Sequence, residues 1–460
     1  MDEANPVYAS VIDKVAQTTG LDSAQWQLCA RQNGTYLDCP IADYAQSESY
    51  SMIVATHNPS TLFMDNNEIK VPHGHFTVEQ WAEDSWTSVP ASVICNEQEK
   101  EYDPKATVTQ CRMFVEQITK PGQISFTKLT YDATADLETP QSSTDSISHD
   151  TFTLSFNEIK DSIAYFNLYD SNTMETSPFG ISLRFWVGSQ WDGQPSGAYI
   201  FRPYNDYYDS WLYSTPISVE TWQADTKGQF VVTFKHGVFK STTEGNAVVT
   251  IQLDQFGVIK TEVELFGIPI NPDLSFEVTV NFHAPHINNG GKFYTDSNGL
   301  EMQERILNYR PTWNLTLAEG GSNITANYYP IQTAIAIKDE TTGMQMTVMN
   351  DRSQGGSVIQ NGRVELMQNR RMNEDDWRGV GEALNETNGE YGMNVPATYF
   401  VQLFNTNRES SLQRTMQQRQ DAPPQQFFAF NLNQATVTAE QVSNLAKDGL
   451  NQLFYSTGIV

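Results

Sequence analysis

The stretch GGKFYTDSNGLEMQERILNYRPTW, from Gly290 to Trp313, carries the clearest fold signal in the chain. A β-prone run at 293–295 leads into the turn residues of 296–299, where Asn and Gly tolerate positive φ angles. Charged and polar residues then alternate with others over 301–306. We predict a β-hairpin that holds polar side chains on a fixed backbone, as in a binding rim. An exposed structural hairpin fits the same residues.

Strand-like runs lie on both sides of this hairpin and are separated by turns. Their connections are too short for crossover helices, so the pattern indicates an antiparallel sandwich and not an α/β fold. The chain is therefore predicted to be mainly β, with a small β domain followed by a large antiparallel β-sandwich. The predicted strands lie at 51–55, 68–71, 91–94, 111–115, 124–129, 152–156, 163–168, 181–187, 198–202, 229–235, 247–253, 258–265, 275–282, 328–337, 344–349, 363–368 and 398–404.

Composition excludes several classes of protein. The chain has 460 residues, 39% of them apolar, which is enough for ordinary domain cores. It contains no apolar run long enough for a membrane span and no signal peptide at its start. Its net charge of −27 would repel nucleic acid. We expect a soluble globular protein with no nucleic-acid partner and no membrane span.

The four cysteines point to the secretory pathway. Cys29 and Cys39 are ten residues apart and Cys95 and Cys111 are sixteen apart, and neither pair has the spacing of a zinc site. Local disulfides are favoured, although a cytosolic protein with four free thiols fits the count. Four glycosylation acceptors support secretion weakly, and they are Asn33, Asn314, Asn323 and Asn385.

Composition also divides the chain into five predicted parts. Apolar residues at helical spacing in 6–20 predict a helix that either packs on the β domain or ends a helical bundle. The first three parts are 1–40 as this helix and a disulfide loop, 41–132 as the small β domain, and 133–150 as a linker or surface loop almost without apolar residues. The last two are 151–407 as the large β-sandwich and 408–460 as an exposed Gln- and Pro-rich stretch with a C-terminal segment that includes a short helix from Thr438.

Two polar or aromatic regions are candidates for ligand binding. The tract from Tyr199 to Tyr213 is dense in aromatic rings, which stack on sugars but also occur in ordinary sandwich strands. Arg370 and Arg371 lie close to Asp375 and Asp376, which predicts an ion-pair network that offers fixed donors to sugar hydroxyls, or else a surface salt-bridge loop. Nothing marks either Asp as a nucleophile, and no known catalytic motif is present.

Six stretches resemble lysosomal-type α-mannosidases of glycoside hydrolase family 38, in the order found in that family. They are LCARQNGTYLDCP at 28–40, SGAYIFRP at 196–203, GKFYTDSNGLEMQERILNYRPTW at 291–313, ANYYPI at 326–331, DRSQGG at 351–356 and NRRMNEDDWRGVGE at 369–382. In that family a zinc-containing catalytic barrel is followed by a helical bundle and β-sandwich domains. The resemblance begins near residue 7 and weakens after about residue 385. It implies that 1–40 includes the end of the helical bundle and that the rest is the β-sandwich portion without the barrel.

The resemblance also implies roles for individual residues. Cys29 and Cys39 match a family disulfide, and Tyr199 matches the sandwich tyrosine that reaches the sugar site. Arg371 matches an arginine that does the same, although Arg370 also fits the alignment. Zinc and the nucleophile belong to the barrel, so this chain is expected to hold no metal and to need a barrel chain of the same precursor as its partner.

The predicted function is that of a non-barrel chain in a processed, retaining, exo-acting α-mannosidase of the lysosome or secretory pathway. It would shape the rim of the active site and bind mannose-containing glycans, but would not be catalytic alone. The alternative is a noncatalytic lectin-like or structural secreted β-sandwich protein.

Overall fold

The computed structural model describes part of the chain and divides it into two compact units. The first comprises Met1–Glu97, Thr109–Pro140 and Gln418–Val460, and the second comprises Gln98–Val108 and Gln141–Gln417. The described residues are 26–28, 31–32, 35–36, 49–58, 64–71, 74–82, 85–100, 103–121, 124–132, 144–188, 195–198, 200–203, 214–224, 227–236, 245–268, 270, 275–315, 317, 322–375, 379, 381–388, 391–406, 412–421 and 424–429.

The first unit is built on a six-stranded sheet and a three-stranded sheet. The six-stranded sheet consists, in spatial order, of β1 (Trp26–Leu28), β30 (Gln425–Ala429), β4 (Ser49–His57), β10 (Ile124–Asp132), β6 (His75–Ala82) and β7 (Ser85–Ser88). The three-stranded sheet consists of β5 (Met64–Val71), β9 (Asp103–Thr119) and β8 (Ala91–Lys100), and the short pair β2 (Arg31–Gln32) and β3 (Thr35–Tyr36) stands apart from both. Buried apolar residues of both larger sheets, such as Val54 and Met113, form one core.

The second unit is a large sandwich of an eight-stranded and a nine-stranded sheet. The eight strands are, in spatial order, β11 (Ser146–His149), β12 (Phe152–Lys160), β13 (Ile163–Asp170), β14 (Glu175–Val187), β19 (Phe276–His283), β26 (Arg363–Arg371), β25 (Gln354–Gln360) and β22 (Tyr329–Ile331). The nine are β15 (Ser214–Ala224), β16 (Lys227–His236), β17 (Gly245–Leu253), β18 (Ile259–Phe266), β29 (Ala397–Asn405), β24 (Met344–Asn350), β23 (Ala334–Lys338), β20 (Lys292–Ser297) and β21 (Glu301–Ile306).

Smaller elements complete the second unit. They are the two-stranded pair β27 (Thr387–Asn388) and β28 (Tyr391–Gly392), the short helix α1 (Ser322–Thr325), and the helix α2 (Leu412–Asp421), whose residues up to Gln417 belong to this unit. The registers recorded between the described strands are antiparallel, for example between β14 and β19. The predicted mainly β, antiparallel fold is confirmed.

The central strand β19 is buried on both faces because the two faces have different partners. Val278, Val280 and Phe282 point into the core between the two large sheets. The alternate residues Glu277, Thr279 and Asn281 are also fully buried, although they are polar. They lie beneath a second apolar cluster, which consists of Trp186, Phe201, Ile324 and Met367 with Tyr328 packed against it. A layer of loop and helix therefore covers the polar face of this sheet.

The structure corrects two predictions about polar segments. The predicted loop at 133–150 ends in the edge strand β11, because Ile147 is buried in the sandwich core. The stretch 408–426, expected to be exposed, includes helix α2 and the beginning of β30. Met416 and Gln417 on α2 are buried, which holds the helix on the second unit.

Other predicted elements differ only in detail. The predicted strand at 328–337 is divided into β22 and β23, and the predicted strand at 198–202 is reduced to an isolated bridge between Gly197 and Ile200. The predicted helices at 6–20 and near Thr438 lie outside the described residues. The predicted domain boundaries stay predictions.

Candidate functional site

The predicted hairpin at 290–313 is confirmed as β20 and β21, which pair in antiparallel register. Asn298 and Gly299 both have positive φ, at 52° and 69°, as the tight turn requires. The N–H of Leu300 closes the turn on the carbonyl oxygen of Ser297 at 3.0 Å. A pocket of about 230 Å³ lies beside this turn and is lined by Leu300, Glu301, Met302 and Arg414, among others.

The polar residues of β21 contact other residues of the protein. Arg305 donates from Nε to Oγ1 of Thr295 at 3.0 Å, and its guanidinium lies 4.6 Å from the ring centroid of Tyr329. Glu304 forms an exposed pair with Lys292 at 3.5 Å. These contacts support the structural interpretation of the hairpin more than the binding-rim interpretation.

The candidate site lies where β19 and β26 pair beneath the segment 195–203. Glu277 on β19 stands opposite Arg370 on β26 in the sheet register. Nε of Arg370 donates to Oε1 of Glu277 at 2.8 Å, and Glu277 has no exposed surface. Removing either partner of such a buried pair would destabilise the fold, because a buried charge without a partner has a large free-energy cost.

Arg370 also binds the backbone of the 195–203 segment. Its Nη1 donates to the carbonyl oxygen of Ala198 at 3.1 Å, and its Nη2 donates to that of Ile200 at 2.8 Å. Gly197 and Ile200 exchange two backbone hydrogen bonds, of 3.1 and 3.2 Å. One guanidinium therefore ties β26 to both ends of a short turn.

Ser196 adds a third connection to the same network. Its hydroxyl donates to Oε2 of Glu277 at 2.8 Å and accepts a bond from the N–H of Arg202 at 3.0 Å. Burial raises the pKa of Glu277, and the Arg370 guanidinium and the Ser196 hydroxyl oppose that rise. We refer to Ser196, Glu277 and Arg370 as the buried network.

A close approach at Gly188 brings the segment onto the sheet. A Cβ at this position would lie 3.1 Å from Cβ of Ser275 and 3.3 Å from Cβ of Ser196. Gly188 also bridges to Pro203, at the far end of the segment. The absence of a side chain at 188 therefore lets both ends of the segment lie against β14.

Arg371 follows directly on β26 and makes different contacts. It is 5% exposed, and its Nη1 donates to Oδ1 of Asn373 at 2.7 Å. Its buried Nε has no hydrogen-bond partner among the described residues. Burial lowers the pKa of the guanidinium, and the charge of Glu386 opposes this. A Cβ at Gly392 would lie 2.7 Å from Cδ of Arg371, so this glycine makes room for the side chain.

The predicted ion-pair network at 370–376 stays a prediction. The acidic partner recorded for Arg370 is Glu277, which lies 93 residues away in the sequence. The predicted partner Asp376 lies outside the described residues. Neither Glu277 nor Ser196 was identified from the sequence, because a single Glu in a strand carries no local signal of its partner. The motif at 196–203 and the aromatic tract that begins at Tyr199 were the indications that this segment matters.

Several predicted residues lie outside the described part of the chain. These are Tyr199, the aromatic residues from Tyr204 to Tyr213, Asn33, Cys29 and Cys39.

The other predicted disulfide, Cys95–Cys111, is present between β8 and β9. The acceptors Asn314, Asn323 and Asn385 are exposed. Among the described residues no group of three His, Cys, Asp or Glu is placed to hold a metal ion. No helix in the described part is long and apolar enough to cross a membrane.

Comparison with known proteins places this site within a characterised domain family. Residues 164–378 match the glycosyl hydrolases family 38 C-terminal domain. The lysosomal alpha-mannosidase of Mus musculus is 36% identical over 246 residues, which are 52% of this chain and 22% of that protein. The lysosomal alpha-mannosidase of Homo sapiens is 36% identical over 250 residues, which are 53% of this chain and 23% of that protein.

The solved structures that align with this chain include an alpha-mannosidase from Enterococcus faecalis V583. Its alignment covers 84% of this chain and 46% of that protein, at 13% identity and a TM-score of 0.49. The alignments with the two lysosomal alpha-mannosidases span only 22% and 23% of those relatives. Ser196, Glu277, Arg370 and Arg371 all fall within the matched region. Residues 164–378 thus match the glycosyl hydrolases family 38 C-terminal domain, which confirms the resemblance predicted from the motifs.

Proposed function

We propose that this chain is the β-sandwich portion of a retaining, exo-acting α-mannosidase that removes terminal α-mannose from N-glycans. The observation that carries this proposal is the family match over residues 164–378, together with relatives named as lysosomal alpha-mannosidases. In this proposal a barrel chain of the same precursor supplies zinc and the nucleophile. The present chain shapes the rim of the sugar site and is not catalytic alone.

Tyr199 and Arg371 are the proposed sugar contacts. Arg371 is adjacent to Arg370, which binds the backbone on both sides of residue 199. Hydrogen bonds from Tyr199 and Arg371 to sugar hydroxyls would strengthen as the ring flattens, so the two residues would stabilise the transition state without taking part in covalent chemistry.

A lysosomal or secretory location is part of the proposal. The relatives are named for the lysosome, a disulfide joins Cys95 and Cys111, and three acceptor asparagines are exposed. Peptide mapping is expected to find glycans at Asn314, Asn323 and Asn385, and also at Asn33. Unmodified asparagines at all four positions in protein from its native source would contradict this location.

Purification from the native source under nondenaturing conditions tests the enzyme proposal. We expect a second chain to copurify, the assembly to release mannose from a terminal α-mannoside, and all stoichiometric zinc to be found in the second chain. A monodisperse 51.8 kDa chain without partner or activity would overturn the proposal. If that single chain bound mannose oligosaccharides, the lectin-like alternative would take its place.

A further inference from the structure

We propose that Ser196, Glu277 and Arg370 are positioning residues that fix the turn between Gly197 and Ile200, and that the sugar contact proposed for Tyr199 depends on this anchoring. The geometry of the turn rests on the described contacts alone. The link to sugar rests on the proposed function.

The hydrogen bonds of Arg370 end on two residues of the turn. Only Ala198 and Tyr199 separate Gly197 from Ile200 in the sequence. Arg370 binds the carbonyl oxygens of Ala198 and Ile200, which are the residues on either side of Tyr199. Two anchors on one rigid guanidinium restrict the positions of Ala198 and Ile200 relative to each other.

The guanidinium of Arg370 is occupied by contacts within the protein. Hydrogen bonds are recorded from all three of its side-chain nitrogens to atoms of the protein. Its guanidinium is thus engaged by Glu277 and by the turn, and it is poorly suited to bind a sugar directly. Of the two arginines that fit the family motif, Arg371 is left as the candidate for sugar contact, because its buried Nε has no recorded hydrogen-bond partner.

The buried ion pair of Glu277 and Arg370 carries a cost in free energy. An apolar pair often replaces a buried ion pair at no loss of stability, since the cost of removing two charges from water offsets their attraction. Burial of Glu277 is therefore poorly explained by stability alone. Its two oxygens hold Arg370 and Ser196, and both of these residues in turn hold the 195–203 segment. The carboxylate orients the two groups that position the turn.

Arg370→Lys is the most informative variant. Lysine retains the charge opposite Glu277 but cannot reach two carbonyl oxygens and a carboxylate with a planar fork. Arg112→Lys is the matched control, because Arg112 is 2% exposed and pairs with Glu68 at 2.7 Å in the other unit. We expect the two variants to lower the melting temperature by similar amounts.

Hydrogen exchange of the full-length chain tests the turn. In Arg370→Lys and Ser196→Ala, amide protection in the peptide covering 196–203 is expected to fall by about tenfold or more, whereas Arg112→Lys leaves it unchanged. Unchanged protection in Arg370→Lys would overturn the proposal. This readout does not depend on activity, so it stands even if the chain belongs to no enzyme.

Kinetics of the assembled enzyme test the link to Tyr199. Arg370→Lys is expected to lower kcat by about tenfold with little change in KM, because the turn acts on a transition-state contact. In a Tyr199→Phe background the same substitution should have little further effect. Additive losses would show that Arg370 acts independently of Tyr199 and would overturn the positioning role. A wild-type assembly without mannosidase activity would instead overturn the proposed function, while the exchange result would still decide the turn.

Discussion

The carboxylate of Asp296 accepts a hydrogen bond from the backbone N–H of Gly299 at 2.9 Å, across the turn of the β20–β21 hairpin. Its other oxygen accepts three more, from the N–H groups of Gln332, Thr333 and Ala334 at 2.8, 2.9 and 3.2 Å. One buried side chain therefore holds the hairpin turn and the start of β23 together. This explains why the turn has a fixed position on the sandwich.

We expect Asp296→Asn to destabilise the second unit by roughly 2 to 4 kcal/mol. The substitution keeps the size of the side chain, but whichever way the amide points, its NH₂ group faces backbone N–H donors. Urea unfolding of the full-length chain measures the change. Glu304→Gln on the exposed face of β21 is the control and should have little effect, because surface pairs contribute little. Equal stabilities of the two variants would contradict the role given to Asp296.

The hairpin could be predicted from the sequence because its turn is decided locally. Asn298 and Gly299 adopt positive φ whatever the rest of the chain does. Helix α2 could not be predicted in this way, since its sequence LQRTMQQRQD contains few apolar residues. It is held by polar contacts such as that of Arg414 with the carbonyl oxygen of Gly299, 115 residues away. Contacts between residues so far apart in the sequence leave no periodic pattern of apolar residues in the helix.

The Cys95–Cys111 disulfide should contribute about 3 kcal/mol to the stability of the first unit, because it closes a loop of sixteen residues in the unfolded chain. Both cysteines are buried in the core of that unit. The double variant Cys95→Ala/Cys111→Ala is expected to lower the urea midpoint of the first unit. Nonreducing peptide mapping is expected to recover this pair and also Cys29–Cys39. Four thiols that react with an alkylating agent in the native protein would contradict both pairings.

Low pH is expected to lower the free energy of unfolding of the first unit because of His57. Burial lowers the pKa of this buried histidine to about 4, from its ordinary value of 6.5. Between pH 6.5 and 4 the unfolded chain binds a proton that the folded chain does not, so the free energy of unfolding falls as the pH falls, by roughly 3 kcal/mol at most. In His57→Gln the free energy of unfolding should depend less on pH over this range. The exposed His75→Gln is the control and should leave the slope in place. An unchanged slope in His57→Gln would show that other groups dominate.

The candidate site shows a second limit of sequence reasoning. Both arginines at 370 and 371 fit the family motif, and the sequence could not decide which of them faces a ligand. The strand period places them on opposite faces of β26, and the sheet register then brings Glu277 opposite Arg370. This pairing depends on how two strands 93 residues apart align, which neither strand specifies alone. The register between β19 and β26 therefore distinguishes Arg370, a positioning residue, from Arg371, a candidate sugar contact.

Substitution of the two proposed sugar contacts provides the final prediction. In the assembled enzyme, Tyr199→Phe and Arg371→Ala are expected to lower kcat/KM for an α-mannoside by roughly 5-fold to 150-fold, as the loss of a single hydrogen bond in the transition state would do. Zinc content and chain association should not change, because neither residue is proposed to bind metal or the barrel chain. Asn373→Ala is the matched control for Arg371.

Asn373→Ala removes the recorded partner of Arg371 but retains its guanidinium. If Arg371 acts on the sugar, this control should lose less activity than Arg371→Ala at a similar melting temperature. If Asn373→Ala and Arg371→Ala instead lower the melting temperature to the same extent and lose activity in proportion, Arg371 serves to hold the end of β26. Full activity in both Tyr199→Phe and Arg371→Ala would refute the site assignment while leaving the family assignment intact, because the match over 164–378 does not depend on either role.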